Sequence, residues 1–239
     1  MPDNIRDVGC VLHGDKYSWE YVEKLYSMVI RHSSAPVRFH VMTESHRSVP
    51  SHMIKHELTP WTDVAGPNLA WWYKLQLFDL KRFHSQMLYL DLDIVIVDNI
   101  DWIWQLDPGY FWTIRDFRYL YRSHVQTINS SIMLWDPTKY YWIWEDFDQL
   151  DRSAIIRRYK GDQDYLSAVL PQSHLRFIDE NSVKSWRWQI AGGGWDFNKR
   201  RVKNPNHAAV LDTNTKIIVF HGSPNPHEIC NDIIEKNWI

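Results

Sequence analysis

Residues 86–99 read QMLYLDLDIVIVDN, and nine of them are large apolar or aromatic side chains, several β-branched. A short apolar run of this kind, closed by the turn signal Asp98-Asn99, is the pattern of a strand covered on both faces, as in a mostly parallel sheet. Asp91 and Asp93 interrupt it at spacing i, i+2. On extended chain they project to one side, with Cα atoms about 7 Å apart. Two like charges in an apolar setting are costly unless a cation compensates them or the strand opens to solvent. The strand is therefore expected to surface at residues 91–93, as a divalent-metal pair or as two solvated acids at a strand end.

The rest of the composition narrows the class. A chain of 239 residues with no repeat, low-complexity tract or linker is expected to form a single domain over 1–239. A net charge of −2 gives no reason to expect a nucleic-acid partner. Cys10 and Cys230 form no CxxC pair and no disulfide framework, so a reducing, cytoplasmic setting is expected. The N-terminal stretch MPDNIRDVGCVLHG lacks a signal-peptide pattern. No apolar run approaches the roughly 20 residues of a membrane helix, so no transmembrane segment is expected. The 14 tryptophans are core material, but they also suit a site that stacks on sugar rings or bases.

Around the central run, the pattern is that of an α/β fold. A strand is expected at 7–12 (DVGCVL), a helix at 18–30, a strand at 37–42 and a short one at 54–58. The loop after the first strand, with Leu12, His13, Gly14 and Tyr17, would lie at the carboxyl edge of the sheet, where such folds bind nucleotides. Tyr17 either stacks on a base there or packs on the following helix. Residues 61–67 read as loop and 68–81 (NLAWWYKLQLFDLK) as a helix with an apolar stripe of Leu69, Trp72, Leu75, Leu77 and Phe78. Lys74 falls largely opposite that stripe, as a solvated lysine or as a partner for phosphate or Asp91. Further strands are expected at 111–115, 128–135, 175–178 and 216–220, and helices at 140–148 and 162–170, with a helix or turn at 102–106. Residues 185–189 alternate, with Trp186 and Trp188 on one side, before the AGGG turn at 191–194.

The order of these pieces resembles the GT-A glycosyltransferases, especially glycosyltransferase family 8. The stretches that carry the resemblance are YLDLD (89–93), NSSIML (129–134), DQD (162–164) and FHGSPNPH (220–227), with the Lys74 helix ahead of the acidic strand. It implies a GT-A fold, a mostly parallel central sheet flanked by helices, and a metal-dependent transferase acting on a nucleotide-diphosphate sugar, most simply UDP-linked, with retention. Asp91, Asp93 and His221 would hold Mn²⁺ or Mg²⁺, since hard oxygen donors with one imidazole suit either ion. Gln163 would lie beneath the reacting sugar and Asp162 would bind its hydroxyls. Lys74, Asn129, Ser130, Gly222 and Asn225 would contact the donor, with the loop at 12–17. Trp186, Trp188 and Trp195 either wall the saccharide or other hydroxyl acceptor or pack in the core. Two departures stand out: Ser131 replaces a glycine, which restricts backbone approach, and Asn225 stands where a phosphate-binding lysine is implied.

Two other activities fit the residues less fully. A sugar-nucleotide nucleotidyltransferase or pyrophosphatase would release pyrophosphate or a nucleoside monophosphate, whereas glycosyl transfer releases a nucleoside diphosphate. A non-catalytic glycan-binding domain would use the tryptophans and be indifferent to EDTA. Absence of HExxH, GxxxxGK[ST] and GxSxG removes zinc proteases, P-loop enzymes and serine hydrolases.

Overall fold

A computed structural model describes residues 5–61, 69–204 and 207–239. The chain opens with β1 (Arg6–Leu12), α1 (Trp19–Arg31), β2 (Val37–Thr43) and β3 (Ile54–Glu57). α1 forms because Tyr21, Val22, Leu25, Met28 and Val29 make one apolar face, and all five are buried. Pro36 then blocks any continuation. β1 pairs in parallel with β2, and β2 with β3.

The helix expected at 68–81 is shorter and tighter. α2 (Leu69–Trp72) runs into a 3₁₀ segment, Tyr73–Phe78. In that segment Leu75, Gln76, Leu77 and Phe78 are all buried, which no single face of a 3.6-residue helix could achieve. Gln76 is satisfied there by exchanging two 2.8 Å hydrogen bonds with the backbone of Thr59. The loop expected at 62–67, and Asn68, lie outside the described residues.

The apolar run at 86–99 folds as two strands in two different sheets. β4 (Met87–Leu90) lies beside β1 in the main sheet, while β5 (Ile94–Ile96) belongs to a smaller one. The remaining elements are β6 (Phe111–Arg115), β7 (Ile128–Trp135), α3 (Pro137–Tyr140), α4 (Trp142–Gln149), α5 (Arg152–Arg158) and α6 (Asp162–Val169). Then come β8 (Leu175–Phe177), β9 (Val183–Ser185), the hairpin β10 (Trp195–Asp196) and β11 (Arg201–Val202), β12 (Ile217–Val219) and α7 (Asp232–Asn237). The main sheet has seven strands in the order β3-β2-β1-β4-β7-β6-β8. β7 is antiparallel to both neighbours and the other four pairings are parallel. β5-β12-β9 make the small sheet. The mostly parallel sheet flanked by helices is thus as the sequence implies. α5 and α7 were not expected, and the alternating stretch at 185–189 is not a strand. Instead, β9 ends at Ser185 and Trp186–Ile190 forms one π-helical turn.

Alternation along β4 divides the interior in two. Leu88 and Leu90 join a core with α1 and the small sheet, whereas Met87 and Tyr89 join one with Trp72, Trp135 and Phe147. At the other end of β1, Asp7 is buried and accepts from Arg38 through Nε and Nη2, each at 2.7 Å. It also meets His40 Nε2 at 2.9 Å and accepts from Ser85. Against the cost of burial, these partners hold the Asp7 carboxyl well below the usual range. His40 Nδ1 contacts His56 Nε2 at 2.9 Å. Burial and the neighbouring His40 push His56 from 6.5 down to about 4.

These shifts fix the sign of a pH dependence. A depressed carboxyl contributes stability above its unfolded pKa and loses it as pH falls, and a histidine buried neutral loses stability as pH falls through 6.5 toward 4. The urea midpoint is expected to drop over that interval, and to drop less in His56→Gln. Asp7→Ala is expected to cost about 3 kcal/mol at pH 7, the scale for breaking a buried ion pair. An unchanged midpoint in Asp7→Ala would show that Arg38 and His40 are satisfied by water.

Candidate active site

Between β4 and β5 the chain crosses from one sheet to the other, and Asp91 and Asp93 occupy that crossing. The Asp91 amide donates to Ser131 O at 2.8 Å, and Phe220 N donates to Asp93 O at 3.3 Å. Those two bonds fix the crossing to the middle of β7 and to the residue just after β12. Here lies a cavity of about 400 Å³ bounded by Lys74, Asp91, Asp93, Asp116, Asp162, Gln163, His221 and Gly222, among others.

Lys74 is not a surface lysine. Its ammonium lies 2.7 Å from Asp91 Oδ1 and 3.7 Å from Asp162 Oδ2. Despite the desolvation it suffers, those carboxylates raise its pKa. Desolvation also works against ionised Asp91, but Lys74, the Tyr89 hydroxyl donating at 2.5 Å and the Ser131 hydroxyl hold its pKa low. The serine that replaces the implied glycine therefore has a partner of its own. Asp93 accepts from Tyr17 Oη at 2.6 Å, yet burial and the charge of Asp91 push its carboxyl up to about 6. Asp162 accepts from Ser130 Oγ at 2.7 Å, and burial raises it. Asp93 and Asp162 are 6% and 3% exposed. Two of these carboxylates thus share the Lys74 ammonium, and the third, Asp93, is held by Tyr17.

Asn129, Ser130 and Ser131 owe their placement to a bulge. Along β6–β7 the register jumps between Thr113 and Ile114, from Met133 to Asn129. The Thr113 hydroxyl bridges the carbonyls of Asn129 and Ile132, both at 2.9 Å, and Asn129 Oδ1 accepts from Ser131 N at 2.9 Å. Bulges of this kind re-aim side chains beside active sites. Gln163, at the first turn of α6, donates through Nε2 to Asp116 Oδ2 at 2.9 Å, which leaves Oε1 free of that bond. Asp116 is in turn held by Arg118.

The loop after β1 is pinned by two residues that sequence reasoning passed over. Gly14, at φ +68°, donates its amide to Glu44 Oε1 at 2.7 Å, and Arg47 donates to Gly14 O at 2.7 Å. Burial opposes ionisation of Glu44, but the Gly14 amide and Arg47 bring it down to about 2. His13 stacks on Tyr73 with ring centroids 4.0 Å apart, and Tyr17 packs on Tyr21 of α1 at 4.7 Å. His13 and Tyr17 line a smaller cavity that shares Lys16, Trp71, Lys74, Asp91 and Asp93 with the larger one. Leu12 is buried in the core, so its side chain is not a ligand contact. Glu44 and Arg47, three apart just past the end of β2, and Asp116, just past the end of β6, carry a legible signal: charge at strand termini.

The carboxyl-terminal contributions differ more from expectation. His221 lines the cavity, with Nε2 2.7 Å from Ser185 Oγ and its ring stacked on Phe117. Burial and the charge of Arg187 push it down to about 4. Asn225 does not line the cavity; its amide N and Nδ2 donate to Glu228 Oε2 at 2.5 and 3.0 Å, capping the turn that follows. None of Trp186, Trp188 and Trp195 lines it either. Trp186 is buried and stacked on Phe220, Trp188 packs edge-on against His221, and Trp195 lies under Arg187.

Asp91, Asp93 and His221 reach one cavity, but among the described residues no three His, Cys, Asp or Glu side chains form a ready metal cluster. Each is instead engaged by a neighbour: Lys74, Tyr17 and Ser185. The donor chemistry nonetheless suits a divalent ion. Two oxygen donors, an imidazole with Nδ1 outside the Ser185 bond, and a carboxylate excess over Lys74 together favour added positive charge.

No protein-family model matches the chain, and no curated protein matches it in sequence. Solved structures do. The galactosyltransferase LgtC, in complex with donor and acceptor sugar analogues, superposes with a TM-score of 0.62 at 14% identity, covering 92% of this chain and 88% of that one. The glycosyltransferase GlyE of Streptococcus pneumoniae gives 0.65 at 14% identity, over 98% of this chain and 60% of GlyE. Mouse xyloside xylosyltransferase 1 gives 0.53 at 15% identity, over 92% and 98%. The fold is that of the GT-A glycosyltransferases.

Removing the shared cation tests the electrostatic account. Lys74→Met is expected to lower stability by about 3–5 kcal/mol, the cost of leaving buried charge unpaired. Thermal melts should recover part of the loss when a divalent ion is added. A melt unchanged by the substitution would mean that water screens these carboxylates.

Proposed function

We propose that this chain is a metal-dependent glycosyltransferase of the family 8 type. It would transfer a sugar from a UDP-sugar, with retention, to a saccharide or other hydroxyl acceptor. The observation that carries this reading is the single cavity in which Asp91, Asp93, Lys74, Asp162, Gln163 and His221 meet on the GT-A fold. Both cysteines are free, which suits a reducing compartment, and we assign the activity to the cytoplasm. Among the described residues no helix is long and apolar enough to cross a membrane.

Breaking an anomeric C–O bond builds negative charge on the departing phosphate and positive charge on the sugar. A divalent ion, Mn²⁺ or Mg²⁺, held by Asp91 and Asp93 with His221 would supply Lewis-acid stabilisation of that phosphate. Lys74 keeps Asp91 ionised and offsets part of the burial cost at Asp162, whose oxygens remain hydrogen-bond acceptors. Asp162 accepts from the donor sugar's hydroxyls, positioned by Ser130. Gln163, whose Nε2 is spent on Asp116, turns its carbonyl oxygen to the sugar and stabilises positive charge at the anomeric carbon. A neutral amide is a poor nucleophile, so retention is better served by front-side attack of the acceptor within the ion pair than by a covalent intermediate.

The reading is tested by donor turnover with UDP-sugars. UDP release is expected to need Mn²⁺ or Mg²⁺ and to stop with EDTA. Asp93→Asn should lower it by at least about a hundredfold, the scale of losing one preorganised electrostatic group. Gln163→Ala should lower kcat with little change in KM. UMP or pyrophosphate as product would favour nucleotidyl transfer instead, and full activity of Asp93→Asn would remove the reading.

A further inference from the structure

The cavity's positive charge is already committed. Lys74 is shared by Asp91 and Asp162, and Arg118 is bound to Asp116. Lys16 donates to Tyr17 Oη at 2.6 Å. Lys160, also on the cavity wall, is engaged as well. A diphosphate leaving from this cavity would therefore meet few free donors on these walls.

One guanidinium near the site is uncommitted. Arg187 sits in the π-helical turn directly after Ser185, the residue that holds His221. Among the described residues no hydrogen bond or ion pair engages its guanidinium. It rests on the Trp195 ring, with Cζ 4.6 Å from the centroid. Its Nη1 lies 3.6 Å from the point where a Cβ on Gly222 would stand, and apart from the adjoining residues of the loop nothing else described comes within 4 Å of that point. Gly222 itself has φ +80°, a conformation natural to glycine, and it lines the central cavity. Arg187 lines a second cavity with Ser223 and Pro224, so consecutive residues of one loop separate the guanidinium from the central space. A side chain at 222 would stand between the guanidinium and that space, against Nη1. The carboxylate nearest along that loop, Glu228, is occupied by Asn225.

We propose that Arg187 is a diphosphate-binding residue of this site, its planar fork reaching the donor's phosphate oxygens past Gly222. The assignment rests on the nucleotide-sugar reading above. A guanidinium already stacked on an indole gives up little side-chain freedom on binding, and its parallel N–H groups match two phosphate oxygens. Asn225, turned to Glu228, supplies no such contact.

Calorimetric titration of UDP and of uridine, each with Mn²⁺, separates the possibilities. Arg187→Met retains an unbranched apolar side chain in the turn and removes the guanidinium. It is expected to weaken UDP by about tenfold or more, the scale of one charge-assisted phosphate contact, while uridine binds as to the wild type. Arg187→Lys is expected to recover only part of the loss, because an ammonium lacks the fork. Unchanged UDP affinity in Arg187→Met would overturn the assignment. So would equal weakening of UDP and uridine, which would mean that Arg187 only supports the turn. If the wild type binds neither ligand, the nucleotide-sugar reading falls and takes this assignment with it.

Discussion

Lys74 holds together a group of side chains that could not otherwise share one pocket. Asp91 and Asp93 come from the crossing between two sheets and Asp162 from the start of α6, and desolvation works against the charge of each. With one ammonium among them, Asp91 stays ionised while Asp93 and Asp162 shift toward the neutral form. Such an arrangement is electrostatically unfinished, and an unfinished site is one that gains by taking up a ligand. The tight 3₁₀ segment that carries Lys74 is part of the same design. By burying four consecutive residues, it fixes the backbone from which the ammonium reaches inward.

Around that centre, backbone irregularity does most of the positioning. The central run breaks between two sheets, so its carboxylates belong to neither ladder. The bulge stitched by Thr113 brings three polar residues out of register. Gly14 is clamped by Glu44 and Arg47, and Gly222 stands clear beside a guanidinium. Regular strands and helices bring these places together, and the departures from regularity face the cavity.

How much of this could be read from residues alone follows the same division. β1, α1, β2, β6, β7 and α6 were legible because their apolar periods are strong and their ends carry turn residues. The break at 91–93 was legible as a cost, since two acids cannot stay in a dry strand. The 3₁₀ form of 73–78 was not, because its stripe also fits an ordinary helix. Nor was the π-helical turn, whose Trp-x-Trp spacing mimics a strand. Asp162, Gln163 and Lys74 were placed by order of motifs, whereas Asp116, Glu44 and Arg47 act on other residues and carry no motif. Residue type and neighbourhood left two roles open for the three tryptophans and do not reveal that Asn225 turns to Glu228, that Trp186 packs in the core or that Trp188 packs on His221.

The split of 86–99 across two sheets also bears on what changes of length this chain can tolerate. Ile94–Ile96 pairs with Ile217–Val219 in fixed register, while Met87–Leu90 is locked between its own neighbours. Adding or deleting a single residue at 91–93 would turn every side chain of one strand to the wrong face. The three-residue connector therefore behaves as a ruler: substitutions within it alter chemistry, but an indel there would undo the interior on both sides at once.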